Sequence, residues 1–428
     1  MIPTLPASAG FTYQLGDRRH SLYCEDVALD QLVPRFGTPL YVYSQRAIET
    51  AYSAYTSALQ GRQSLVCYAV KANSNLAVLD VLARCGAGFD IVSAGELARV
   101  LAAGGDASKV VFSGVGKTEN EIESALKAHI ACFNVESAAE LDRIDTIAQR
   151  LSIRACVSLR VNPDIDAGTH PYISTGLKNN KFGVAYADSL ALARLASAKT
   201  AIDLVGVGCH IGSQITEIAP YVETVDLLID LVEKLTGENL DVRQIDLGGG
   251  LGIRYRDETP PRAADLVNAL LARLDARGHG DKKLIFEPGR SIVGNAGMLV
   301  TRVEYLKPGA ARNFAIVDAA MNDLLRPAMY DAWMDVVPVS PRASAPQHYD
   351  IVGPICESSD WLARDRPLAL EPGDLLAFAG AGAYAMSMSS NYNTRPRAAE
   401  VMVSGADSYC VRRRETAGEL FAGESRMP

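Results

Sequence analysis

A lysine, two glycine turns, an acid and a thiol carry the chemistry this sequence offers. Lys71 lies in Tyr68-Ala69-Val70-Lys71-Ala72-Asn73, at the end of an apolar run. A lysine partly withdrawn from water at such a point loses basicity and can act as an amine nucleophile, although a salt-bridged lysine fits the same place. Asp246-Leu247-Gly248-Gly249-Gly250-Leu251-Gly252 passes from a strand into a glycine turn, whose exposed N–H groups suit a phosphate or simply make a tight turn. Glu287-Pro288-Gly289-Arg290 forms a second turn and adds a cation. His210 and Ser213 lie together in Gly208-Cys209-His210-Ile211-Gly212-Ser213-Gln214, as a binding pair or as satisfied structural groups. Arg326, with Tyr330 four residues on, can clamp a carboxylate bidentately or pair at the surface. Tyr384 follows the small residues Gly380-Ala381-Gly382-Ala383, which allow close approach of a ligand or pack a core tyrosine. Cys356, in Gly353-Pro354-Ile355-Cys356-Glu357-Ser358-Ser359-Asp360, reads on its own as a buried thiol, but a carboxylate follows it.

The elements that must position these residues are legible in the hydrophobic pattern. Eight short apolar runs, over 65–70, 88–92, 110–113, 131–135, 155–161, 204–209, 244–247 and 283–286, alternate with helical spacing over 94–103, 119–128, 137–149, 187–198, 221–235 and 262–276. That alternation predicts an α/β fold, a closed (β/α)8 barrel of the TIM type. After about residue 290, runs over 298–304, 313–317, 349–352, 374–378, 399–403 and 408–412 lack long helices between them and predict a C-terminal all-β domain. The expected organisation is a segment 1–40, broken by Pro3, Pro6, Gly10, Pro34, Gly37 and Pro39 and packed with the β domain, then a barrel over 41–290 and the β domain over 291–428. Barrel active sites form at the carboxyl ends of the strands. Lys71, Asp90, Arg160, His210, Gly248–Gly250 and Glu287–Arg290 all fall there.

Composition excludes other classes. A net charge of −8, without a long lysine or arginine run, gives no field for a nucleic-acid backbone. The N-terminus lacks the pattern of a signal peptide and no apolar run is long enough to span a membrane, so a cytoplasmic protein is expected. The eight cysteines are scattered without a CxxC pair, which predicts reduced thiols and no metal site. Gly114-Val115-Gly116-Lys117-Thr118 ends like a nucleotide phosphate loop, but Val111 stands where that motif needs its first glycine.

Taken in order, the segments resemble the diaminopimelate decarboxylase family, fold-type III pyridoxal 5'-phosphate enzymes related to ornithine and arginine decarboxylases and, by their barrel, to alanine racemase. The resemblance runs through 68–72, 88–97 (GFDIVSAGEL), 170–183 (HPYISTGLKNNKFG), 209–214, 246–252, 287–297 (EPGRSIVGNAG), 317–332 (VDAAMNDLLRPAMYDA), 356–360 and 382–384, nearly the whole chain. It implies pyridoxal 5'-phosphate as cofactor, attached at Lys71, with His210 against the ring and Glu287 on the pyridine nitrogen. Ser213, Gly250, Glu287, Pro288, Gly289, Arg290 and Tyr384 would hold the cofactor. Arg290, Arg326, Tyr330, Glu357 and Tyr384 would bind the substrate, and Cys356 would give a proton to Cα. It further implies a homodimer with shared sites, Cys356 and Glu357 coming from the partner.

The implied reaction converts meso-2,6-diaminopimelate to L-lysine and carbon dioxide, the last step of lysine biosynthesis. Glu357 would pair with the distal ammonium, while Arg290 and Arg326 would pair with the distal carboxylate that ornithine lacks. An ornithine or arginine decarboxylase is the nearest alternative. An alanine racemase is disfavoured by Glu287, which makes the ring a strong electron sink, and a non-catalytic relative by the presence of both Lys71 and Cys356.

Overall fold

The computed structural model describes residues 5, 10–15, 20–165, 176 and 180–428. Residues 170–175 and 177–179 of the HPYISTGLKNNKFG segment, together with Pro3 and Pro6, lie outside them. The chain forms two compact units, one of residues 50–253 and 259–292 and one of residues 1–49, 254–258 and 293–428.

The first unit is a closed barrel of parallel strands. In chain order they are Ser64–Ala69, Gly88–Ile91, Val110–Phe112, Cys132–Val135, Ala155–Asn162, Ile202–Gly208, Gln244–Asp246 and Lys283–Phe286. Each pairs with the next, and the last returns to the first through Ile285↔Leu65. The short strand Val184–Ala185 pairs with Val161 and Asn162 at the end of Ala155–Asn162. Strands this apolar need both faces covered, which a ring of helices and a filled interior provide. Cys67, Val111, Cys132, Val205 and Ile285, from five different strands, form one buried cluster.

The helices begin where the sequence offers caps. Ser93 accepts from Glu96 N ahead of Ala94–Ala102, Ser137 accepts from Glu140 N ahead of Ala138–Leu151, and Thr118 with Glu121 makes a reciprocal capping box for Glu119–Lys127. Ala138–Leu151 buries Leu141, Ile144, Ile147 and Ala148, a stripe at helical spacing. Each strand is thus delivered back to the same end of the barrel, so residues just past strand ends converge.

The second unit is built on a mixed sheet whose main path runs Trp361–Leu368, Gln347–Val352, Asn313–Val317, Gly297–Lys307, Leu40–Ser44, Ala399–Ser404 and Asp407–Arg412. Val336–Pro338 and Leu375–Phe378 pair beside Gly297–Lys307. A small sheet of Phe11–Leu15, His20–Cys24 and Val27–Ala28 precedes it. Phe11, Leu22, Leu29 and Leu32 share a buried cluster with Val42, Met298, Val300, Val337 and Val401. The irregular reading of the first forty residues missed these strands, because each is short and is bounded by the turn residues that dominate the segment.

One backbone contact sets how the barrel closes around its seventh and eighth strands. A Cβ on Gly249 would run into the carbonyl oxygen of Glu287, and Glu287 N donates to Gly248 O at 2.7 Å. Both groups are backbone and cannot swing aside. Gly249→Ala is therefore expected to destabilise the protein by roughly 1–3 kcal/mol, as overpacking of a tight site does, read as a fall in Tm; an unchanged Tm would show that the turn has slack.

Candidate active site

Polar groups crowd the carboxyl ends of the barrel strands. Lys71 sits in a single 3-10 turn, Val70–Ala72, directly after the first strand. Its Nζ meets Asp90 Oδ2 at 2.5 Å, and Asp90, in the second strand, is fully buried with Oδ1 unpartnered. Asn134 ends the apolar part of the fourth strand. Its Nδ2 lies 3.0 Å from Asp246 Oδ2, 3.1 Å from Glu287 Oε1 and 3.1 Å from Ser113 Oγ, three acceptors that share its two hydrogens. Asp246 closes the seventh strand, and its Oδ1 accepts from Gly248 N at 2.9 Å.

These contacts decide the charge of the acids. Burial first, then the neighbouring charges of Asp246 and Asp90, holds the Glu287 carboxyl well above its ordinary range. Burial raises Asp246 as well, and the two carboxyls hydrogen-bond to each other. Two buried carboxylates in contact cannot both ionise. Both carboxyls are therefore held above the ordinary carboxylate range, Glu287 the further of the two.

His210 follows the sixth strand and is held neutral. Burial, then the positive charges of Arg160 and Lys71, pushes its imidazole well below the usual value. Gly249 N donates to His210 Nδ1 at 3.2 Å, so the ring is oriented by the same glycine turn that packs on Glu287. Arg160 is itself anchored to Glu136 at 3.1 Å. Glu96, from the GFDIVSAGEL segment, accepts from Val92 N at 2.7 Å, and burial raises its carboxyl to about 7.

Three turns meet beside this cluster. Arg290, buried at the start of the short helix Arg290–Val293, donates from Nη2 to Ser213 Oγ at 3.0 Å. Gly250 has φ of 100°, and a Cβ there would press on Gly212 O. Ile215 N donates to Gly250 O at 2.9 Å. A hydroxyl, a guanidinium and an open glycine backbone in contact suit a phosphate, while Lys71 offers an amine and Glu287 an acid to a ring between them. The donor set fits pyridoxal 5'-phosphate. Lys117, from the discarded nucleotide motif, is instead structural: its buried Nζ donates to Gly114 O at 2.7 Å and Asn134 O at 2.8 Å and pairs with Glu140 at 2.6 Å.

The other expected residues belong to the second unit. Arg326, buried, opens the helix Arg326–Tyr330, and its guanidinium lies 4.4 Å from the centre of the Tyr255 ring. Tyr330 ends that helix. Tyr384 adopts a left-handed backbone with φ of 53° just past Gly382, where a Cβ would collide with Val293 O. Cys356 and Glu357 are exposed, so the reading of Cys356 as a buried thiol is corrected: the thiol stands on a surface turn. Among the described residues no group of histidines, cysteines and acids could hold a metal ion.

A parallel barrel that gathers an amine, a shielded acid and an anion-binding turn at one mouth defines a pyridoxal-phosphate-dependent enzyme. Residues 45–294 match the family model of the pyridoxal-binding domain of pyridoxal-dependent decarboxylases. The diaminopimelate decarboxylase of Pseudomonas aeruginosa is 60% identical over 96% of this chain and 98% of its own, and that of Vibrio cholerae is 55% identical over 95% and 97%. Among solved structures, the diaminopimelate decarboxylase of M. jannaschii in complex with L-lysine is similar with a TM-score of 0.93, at 38% identity over 99% of both chains. The chain belongs to the diaminopimelate decarboxylase family.

Sequence reasoning placed Asp90 and Arg160 at strand ends without giving them work, and it missed Ser113, Asn134 and Asp246 as a network. The available signal was a polar residue closing an otherwise apolar strand. In a barrel such a residue points to the mouth or costs desolvation.

The raised carboxyls have a measurable consequence. Glu287 and Asp246 hold protons more tightly folded than unfolded, so the unfolded chain gives them up first as pH rises, and folding stability falls through that window. Cofactor-free protein should lose Tm between about pH 5 and about pH 8 more steeply than its Glu287→Gln variant, whose amide still accepts from Asn134 and donates to Asp246. Equal slopes would show that the two carboxyls ionise independently.

Proposed function

We propose that the chain decarboxylates meso-2,6-diaminopimelate to L-lysine and carbon dioxide, with pyridoxal 5'-phosphate. The observation that carries this is the presence at one barrel mouth of Lys71, paired with Asp90, and of a buried Glu287 whose carboxyl is held well above its ordinary range, in a chain so similar to diaminopimelate decarboxylases. When bound, the cofactor supplies an electron sink for the pair left behind when the Cα–carboxylate bond breaks.

The chain's own residues do the rest. Lys71 would hold the cofactor through its amine. Glu287, fixed by Asp246 and Asn134, would keep a proton at the pyridine nitrogen. Neutral His210 would face the ring without placing a competing positive charge there. Ser213, Gly250, the turn Glu287-Pro288-Gly289-Arg290 and Tyr384 would hold the phosphate and ring. Arg290, Arg326, Tyr330 and Tyr384 bind the substrate, the two arginines reaching its distal carboxylate. Glu357 pairs with the distal ammonium, and the Cys356 thiol gives a proton to Cα after carbon dioxide leaves.

We further propose a homodimer in which the Cys356–Glu357 turn of each subunit completes the other's site. Exposure of both side chains supports that reading. No helix among the described residues is long and apolar enough to cross a membrane, and a cytoplasmic location suits a biosynthetic enzyme.

Product analysis with diaminopimelate, ornithine and arginine side by side tests the substrate. Lysine and carbon dioxide should form from diaminopimelate alone; turnover of ornithine or arginine at a similar rate would refute the assignment. Lys71→Ala should abolish activity and the visible absorbance of the bound cofactor. Cys356→Ala should keep that absorbance and slow turnover by roughly 10²-fold, the value of a positioned proton donor. Mixing the two inactive variants should restore some activity if sites are shared, and no recovery would place each site within one subunit.

A further inference from the structure

We propose that Asp360 is the positioning residue of the Cys356–Glu357 turn. The inference rests on the roles given above to Cys356 and Glu357. Those two side chains are exposed, whereas Asp360, four residues on from the thiol, is only 4% exposed. Ile355 anchors one side of the turn in the core, and hydrogen bonds must set the rest of its geometry.

Asp360 supplies four of them. Its Oδ2 accepts from Ile355 N at 2.8 Å and its Oδ1 from Met321 N at 2.7 Å. Its own N–H donates to Glu357 O at 3.0 Å, and its carbonyl accepts from Gly353 N at 3.2 Å. One residue thus grips the chain on both sides of Cys356. The direct tie to Cys356 is weaker, a 3.4 Å contact from its N–H to Asn393 Oδ1. Through Met321 the same carboxylate joins the turn to the segment that leads into Arg326.

Chemistry explains why the group is a carboxylate. Two N–H donors from separate segments converge on it, and an ionised carboxylate is acceptor at both oxygens. An asparagine would turn an NH2 against one of them and release that segment. The carboxylate is also braced from behind: a Cβ on Gly353 would press on Asp360 Oδ2 and lie 2.6 Å from the Ala320 Cβ. Gly353→Ala therefore displaces the same oxygen without altering the acid.

The test is a double-mutant cycle on cofactor-loaded protein with diaminopimelate. Asp360→Asn should keep the cofactor's absorbance but lower kcat about tenfold, since misplacement of a reacting group by about 1 Å costs up to 10²-fold. In a Cys356→Ala background the same substitution should lower kcat little further, because its route through the proton donor is already cut, while its route through Glu357 shows as a raised KM. Alkylation of Cys356, followed by peptide mass spectrometry, should change roughly threefold while Cys85 and Cys410 keep their rates. Gly353→Ala should act in the same direction and carries the cycle if Asp360→Asn does not fold. An unchanged kcat, or a full second penalty in the Cys356→Ala background, would overturn the positioning role. If Cys356→Ala itself turns over normally, the role of Cys356 falls, and the alkylation rate alone decides for Asp360: an unchanged rate rejects it.

Discussion

The structure of the barrel mouth follows from the burial of three carboxyl groups close together. Asp90, Asp246 and Glu287 are each less than a tenth exposed, and all sit at strand ends. Three isolated negative charges in such a place would cost many kcal/mol. The arrangement reduces this cost with one ion pair and a raised proton affinity: Lys71 faces Asp90, and burial with mutual proximity holds the Asp246 and Glu287 carboxyls above their ordinary range. Asn134 then spends its amide on both members of the pair. A ring nitrogen arriving at Glu287 meets an acid whose position and protonation are already set.

The glycine turns make that crowding geometrically possible. Gly249 lets the seventh strand's turn lie against the Glu287 carbonyl while its N–H orients His210. Gly250, in a left-handed conformation, lies against the backbone around Ser213, which Arg290 joins from the eighth strand's turn. Acid, imidazole and phosphate donors are therefore not separate features. They share one short stretch of backbone in which a side chain at either glycine would shift them together.

Much of this was legible in the sequence, for identifiable reasons. The eight barrel strands are continuous apolar runs, and Lys71, His210 and Glu287 follow them immediately, so the strand ends announced the site. The strands Leu40–Ser44 and Trp361–Leu368 were not foreseen. The first is framed by Pro39 and a helix, and the second mixes Arg364, Asp365, Arg366 and Pro367 into its pattern. The links from Asn134 to Glu287 and from Asp360 to Met321 were hidden because they join residues distant in sequence, or join a side chain to a backbone N–H that no residue type reveals. Cys356 is the opposite case: resemblance supplied its proposed role, while composition suggested burial and the structure exposes it.

The central physical claim is that burial beside Asp246 holds the Glu287 carboxyl well above its ordinary range in the folded protein. Infrared difference spectroscopy of cofactor-free protein at neutral pH, wild type against Glu287→Gln, tests it most directly. The account predicts that the wild type shows the C=O stretch of a protonated carboxylic acid, shifted by deuterium exchange and absent from the variant. A wild-type spectrum with only ionised carboxylate bands would contradict it.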